Sequence, residues 1–98
     1  MAAYVIVEME VTDSNAIEEY RKLAGASVQA HGGRFIVRGG KTEVLEGDWH
    51  PQRVVVLEFP GVHEARTWWF SKQYAEAKVA RNRAARNVKM LLVEGTAR

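Results

Sequence analysis

Ninety-eight residues, 47% of them apolar and 27% charged, with no cysteine and a formal charge of +2, predict one small domain over 1–98. The lack of cysteine excludes a disulfide framework, a thiol nucleophile and a cysteine-based zinc site. There is no basic-then-apolar leader, and no apolar run nears the roughly 20 residues that cross a bilayer, so a cytoplasmic protein with no membrane partner is expected.

Tyr4 to Val11 is apolar at alternate positions, which predicts a strand buried on at least one face. Thr12-Asp13-Ser14-Asn15 supplies short oxygen-bearing side chains that accept from free backbone N–H groups and start a helix. Ile17, Tyr20, Leu23 or Ala24, and Val28 recur at helical spacing. That helix should stop at His31, because Gly32-Gly33 provides a left-handed terminus without a Cβ penalty.

Arg34 to Arg38 is a second strand, broken at Gly39-Gly40; Lys41 to Glu46 either continues it past a bulge or forms a separate arm. Gly47 to Pro51 is a turn-rich loop, and Arg53 to Phe59 is a third strand stopped by Pro60-Gly61. From Val62 a helix carries Val62, Ala65 and Trp68 or Trp69 inward, pauses at Ser71, and resumes from Lys72 towards Arg86 behind a serine cap. Val88 to Glu94 is a last strand, and Gly95 to Arg98 a frayed tail.

The order β-α-β-β-α-α-β, with Val5–Met9 echoed at Val55–Phe59, suggests two related halves. Two right-handed strand–helix–strand crossovers close into an α+β, ferredoxin-like unit: a four-stranded antiparallel sheet of order 4-1-3-2 with the helices on one face.

Alternation assigns the strand residues to two faces. Val5, Val7, Met9, Val11, Phe35, Val37, Val55, Leu57, Phe59, Leu91 and Val93 are expected beneath the helices. Tyr4, Ile6, Glu8, Glu10, Arg34, Ile36, Arg38, Val54, Val56, Glu58, Met90, Leu92 and Glu94 are expected on the open face. That face is too apolar for water, and a second copy related by a two-fold axis should cover it. Glu8 and Arg38 fall at one end, and Tyr4, Arg34, Glu58 and Glu94 at the other. Charges enclosed between two sheets must be paired or neutralised.

Two readings of this polar cluster follow. In one, Glu58 or Glu8 is an acid or base and Arg38 orients the anionic group of a small metabolite, with Tyr4, Trp49, Tyr74 and Trp68 lining the pocket. In the other, the same groups are ion pairs that fix the register of the dimer. His50, in the Trp49-His50-Pro51 loop, is a candidate proton carrier. His31 suits a helix C-terminus, and His63 sits in a helix first turn. No histidine pair has ligand spacing and no phosphate loop or nucleophile elbow is present, so neither metal nor cofactor is expected.

Charge is uneven along the chain, −3 over residues 1–49 and +5 over residues 50–98. Lys78, Arg81, Arg83, Arg86 and Lys89 nonetheless spread round most of a helical wheel, so they read as a solvated basic helix. An RNA-recognition module of the same fold needs stacking aromatics on its third strand; Val54, Val56 and Glu58 stand there instead, and no nucleic-acid partner is expected.

These residues resemble domain-of-unknown-function family 1330, within the dimeric α/β-barrel superfamily. The matching stretches are Ala3-Tyr4, His31 to Gly40, Val44 to Trp49, Arg53 to Phe59 and Val93 to Gly95. Ser14 stands where the family usually has a proline, which touches a helix start and no chemistry. The resemblance implies a ferredoxin-like subunit pairing sheet to sheet, and no reaction. The sequence therefore leads to a homodimer binding a small metabolite beside the open sheet face. The alternative, implied by the resemblance to α/β-barrel families, is a cofactor-free enzyme performing proton transfer, isomerisation or monooxygenation of a small acidic or aromatic compound.

Overall fold

The computed structural model describes residues 1–96; Ala97 and Arg98, the end of the expected tail, lie outside the described residues. The elements are β1 (Ala3–Val11), α1 (Ile17–Ala30), β2 (Arg34–Arg38), β3 (Arg53–Phe59), α2 (Val62–Trp69), α3 (Lys72–Ala84) and β4 (Ala85–Glu94). The four strands form one antiparallel sheet of order β2-β3-β1-β4, the expected 4-1-3-2 order of a ferredoxin-like α+β fold. All three helices pack on one side, leaving a slab only 17 Å thick.

Local chemistry explains where the elements start and stop. The Asp13 carboxylate accepts from the backbone N–H groups of Asn15 and Ala16 at 3.0 and 2.9 Å, satisfying donors that the turn ahead of α1 leaves free. At the other end Gly32, with φ of +78°, donates to the Gln29 carbonyl, and Gly33 donates to that of Val28, the paired bonds of a Schellman motif. The His31 imidazole Nδ1 lies 2.8 Å from the Ser27 carbonyl, tying the last turn down. Ser71 caps α3 by accepting from the Tyr74 N–H at 3.1 Å.

α3 stops at Ala84, two residues short of the expected end. The Ala84 carbonyl accepts from Thr12 and Asp13 N–H, and Ala85 is already extended as the start of β4. Arg86 and Lys89 are therefore strand residues, and the expected continuous basic helix keeps only Lys78, Arg81 and Arg83. Residues 39–52 form the separate arm, without strand or helix; the alternative, β2 continuing through Lys41 to Glu46, does not occur.

The core lies between helices and sheet. Val5, Val7, Met9, Val55, Leu57 and Phe59 rise from the two central strands to meet Val28, Ala65, Trp68, Tyr74 and Ala77. Trp68 is its centre, with ring centroids 5.3 Å from Phe59 and 4.2 Å from Tyr74. Apart from the aromatic side chains, the one buried residue with a polar side chain among the described residues is Ser27. It is fully used: its hydroxyl donates to the Ala24 carbonyl at 2.8 Å and accepts the Trp68 indole N–H at 3.0 Å.

Two irregularities change which way the edge-strand side chains point. In β2 an extra residue sits between Phe35, paired with Leu57, and Val37, paired with Val56. Arg38 then falls opposite Val55, a core residue, so it points to the helix side and Val37 points away, the reverse of the expected faces. In β4 the register shifts opposite Met9, next to Asn87 with its positive φ of 51°. Beyond it Met90 pairs with Val7 and Leu92 with Val5, on the helix side, while Leu91 pairs with Ile6 and Val93 with Tyr4 on the open side. The expected positions of Met90, Leu91, Leu92, Val93 and Glu94 are thus all inverted, and Leu91 is 60% exposed.

Candidate functional site

The open face carries the acids that the sequence analysis singled out. Arg34, Glu58 and Tyr4 lie in one cross-strand row, as expected. The Arg34 Nε–H donates to Glu58 Oε1 at 2.7 Å, and Glu94 is absent from the row because it pairs with Ala3. The hydrogen bond from Arg34 holds the Glu58 carboxyl below its ordinary range, against a smaller opposing effect of desolvation.

Glu8 stands four residues further along β1, about 13 Å from that row at ~3.3 Å per residue. It does not meet Arg38. Its Oε1 accepts the Trp49 indole N–H at 2.8 Å, which anchors the 39–52 arm to the sheet, and Lys89 lies directly across on β4. His50 and Asp48, 3.0 Å apart, complete an exposed groove beside Trp49. Glu10 accepts from Arg86 and Asn87, whose hydrogen bonds lower its pKa. The expected cluster of Glu8, Arg38 and Glu58 is therefore not assembled. Among the described residues no three His, Asp or Glu side chains are placed to hold a metal ion.

On the opposite side of the sheet, α1 and the central strands enclose a narrow cleft. The space free within it is about 30 Å³, and its walls are in near-contact along most of their length. Val7, Met9 and Val55 form its floor, Ile17, Ala24 and Val28 its helical wall, and Trp68 its inner end. The rim is basic: Arg21 from α1, Arg38 from the end of β2 and Arg53 from the start of β3. The Arg38 guanidinium lies 4.0 Å above the Phe35 ring centroid. Arg53 is held below its ordinary pKa first by burial, then by the charges of Arg21 and Arg38.

Deeper in, the Tyr20 hydroxyl lies 3.0 Å from that of Tyr74. Tyr74, fully buried on α3, also accepts from Arg81 Nη1 at 3.2 Å and approaches the Met90 sulfur at 3.8 Å. Burial is the first cause raising both phenol pKa values, so both hydroxyls stay protonated and able to donate.

Of the ligand-binding candidates, Arg38 thus reaches the cleft and Tyr74 touches it through Tyr20, whereas Tyr4 and Trp49 belong to the open face. Tyr20, Arg21 and Arg53 were not anticipated. The signal for Arg53 was the neighbouring Gly39: glycine at a strand end marks a bulge or a close backbone approach. Gly39 has φ of +74°, and a Cβ there would collide with the Arg53 guanidinium.

Solved structures repeat this architecture. A protein of unknown function from Rhodopseudomonas palustris is 17% identical, with a TM-score of 0.78 over 99% of this chain and 84% of its own. SnoaB, a cofactor-independent oxygenase from Streptomyces nogalater, is 15% identical, with a TM-score of 0.64 over 99% of this chain and 93% of its own. A dimeric ferredoxin-like protein of unknown function from Thermobifida fusca is 14% identical, with a TM-score of 0.62 over 97% and 92% of the two chains. No curated protein matches the chain. None of the described helices is long and apolar enough to cross a membrane. The family model described as domain of unknown function (DUF1330) matches residues 2–96, and the chain belongs to that family.

Proposed function

We propose that the protein is a sheet-to-sheet homodimer whose subunits each hold a small metabolite in the cleft between α1 and the sheet. The observation that carries this reading is the joining of an apolar slot ended by Trp68 to a rim of three arginines, the pairing of apolar wall and few polar groups that small-molecule sites use, in a slot that must widen to admit a ligand. It moves the ligand from the open face, where the sequence pointed, to the helix side. Arg38 keeps its ligand-binding role there.

The dimer is supported by the other face. Ile6, Val37, Leu91 and Val93 are 37%, 41%, 60% and 39% exposed, and they form an apolar stretch that a second copy would cover. The likeness to a protein described as dimeric agrees with this. Glu8, Tyr4, Trp49 and Glu58 then act in setting register.

The test follows the methyl groups of Ile17, Val28 and Val55 by NMR while small aromatic and aliphatic compounds are added. Saturable shifts confined to those methyls are expected; no shift with any compound would remove the cleft as a site.

A second reading, a cofactor-free enzyme, draws on the Tyr20–Tyr74–Arg81 chain, whose protonated hydroxyls stand beside the cleft as hydrogen-bond donors to charge developing on a substrate. The likeness to a cofactor-independent oxygenase is in keeping with it. On this reading Tyr20→Phe keeps ligand binding and loses turnover. Turnover lost instead in Glu58→Gln, Glu8→Gln or His50→Gln would return catalysis to the open face.

A further inference from the structure

The occupant's chemistry can be read from what the cleft's rim lacks. Arg21 is answered by Glu18, whose Oε1 lies 2.5 Å from its Nη1, yet the Arg21 Nε is buried without a hydrogen-bond partner. Arg38 and Arg53 are in no ion pair among the described residues. Three arginines thus line one opening, and only Arg21 is bonded to a carboxylate, that of Glu18. Like charges gathered beside apolar walls repel, and nothing else among the described residues offsets the surplus.

Both unpaired arginines are also held in place. Phe35 supports the face of Arg38, which points here only because of the β2 bulge. Arg53 rests against Gly39, where any side chain would displace it. Side chains positioned this way lose little freedom on meeting a ligand, and a guanidinium presents two parallel N–H groups to a carboxylate or phosphate.

We infer that Arg38 and Arg53, with Arg21 behind them, form the seat for an anionic head group, so that the cleft takes a small organic anion with an apolar body. The head, a carboxylate or a phosphate, sits at the rim, and entry of the body requires the packed walls at Ile17, Val28 and Trp68 to part. This rests on the cleft being the ligand site and adds the class of molecule that fills it.

The probes are phenylacetate, phenyl phosphate and the uncharged 2-phenylethanol, titrated into the full chain by calorimetry with the cleft methyls followed by NMR. At least one anion is expected to bind at least tenfold more tightly than 2-phenylethanol, about 1.4 kcal/mol. Which anion leads identifies the head group. R38M and R53M should each lose that margin, with R53K retaining part of it; R66M, which removes an exposed charge from α2, should leave it intact.

Equal binding of 2-phenylethanol overturns the inference and leaves the cleft as a ligand site. So does unchanged anion binding in R38M, or an equal loss in R66M, which would show that net charge alone is read. If R53M fails to fold, R38M still decides, because it alters an exposed side chain. If none of the three probes moves the cleft methyls, the inference fails together with the site it rests on.

Discussion

Glu58, Glu10 and Glu8, spaced along the open face of the sheet, each meet a donor from elsewhere in the chain: Arg34, Arg86 and the Trp49 indole. At the mouth of the cleft on the other face stand Arg21, Arg38 and Arg53, and only Arg21 is bonded to a carboxylate, that of Glu18. The open face thus gives each of these three acids a partner, whereas Arg38 and Arg53 at the cleft have none among the described residues. Charges with partners inside the chain can enter a contact with another subunit at less cost than unpaired ones, and in the proposed dimer they would set its register. Charges without partners are what a small molecule can still exploit.

The largest effect expected from breaking this division is in the covered layer. Trp68 forms the end of the cleft, stacks on Tyr74 and donates to the buried Ser27. Trp68→Ala should cost about 3–5 kcal/mol, through lost burial and the cavity left behind. Urea unfolding measures it, and a loss below about 1 kcal/mol would mean that this layer collapses easily and that the cleft is not a fixed shape.

Leu91 supplies the matching experiment on the open face. It is 60% exposed, and on a solvated sheet Leu91→Asp should change subunit stability by no more than about 0.5 kcal/mol. Within a covered sheet the same change forfeits about 1.5–3 kcal/mol per chain and leaves a charge to desolvate. The expected result is a dimer that dissociates at least tenfold more readily in sedimentation equilibrium, with the folded subunit intact. An unchanged association constant would take Leu91 out of the interface.

Asn87 tests the device that puts Leu91 on that face. Its φ of 51° suits asparagine and disfavours a β-branched residue, so Asn87→Val should cost about 1–3 kcal/mol in thermal or urea unfolding. The variant also loses the bond to Glu10. Asn87→Gly keeps the conformation and loses only the side-chain bond, so it should lie well below the valine variant.

The two bulges also mark where the sequence stops being legible. Element boundaries followed from local chemistry: Asp13 and Ser71 at helix starts, Gly32-Gly33 and Pro60-Gly61 at stops. Strand order followed from the right-handed crossovers. The faces of β1 and β3 followed too, because each has one alternate set that is purely apolar. In β4 the run Val88-Lys89-Met90-Leu91-Leu92-Val93 is apolar on both sets, so its phase is fixed by pairing across the bulge and not by pattern. In β2, Ile36 and Val37 are equally apolar neighbours, and an inserted residue there leaves no hydropathic trace while it turns Arg38 over. The site was half legible for the same reason. Arg38 and Tyr74 were named from the sequence, but Arg38 joins Tyr20, Arg21 and Arg53 at the cleft only once that reversal is in place.

The smallest effect expected is in the open-face row. Hydrogen bonding from Arg34, chiefly, depresses the folded-state pKa of Glu58 below the ordinary 4.5. A carboxyl with a lower pKa folded than unfolded stabilises the protein above the unfolded value, and that contribution is lost as pH falls through the folded value. The midpoint of thermal unfolding should therefore fall as pH drops below about 4.5, and Glu58→Gln should make that slope shallower while leaving the neutral-pH behaviour of the subunit nearly unchanged. Run at protein concentrations above and below the dimer's dissociation constant, the same scan gives the pair a second readout. Solvent screening weakens the pair in the free subunit, where Arg34 is largely exposed; between two sheets it is sheltered and counts for more. A pH slope that steepens with protein concentration in the wild type, and does not in Glu58→Gln, would place the Arg34–Glu58 pair inside the contact. A slope independent of concentration would leave the pair in water and remove it as a register device.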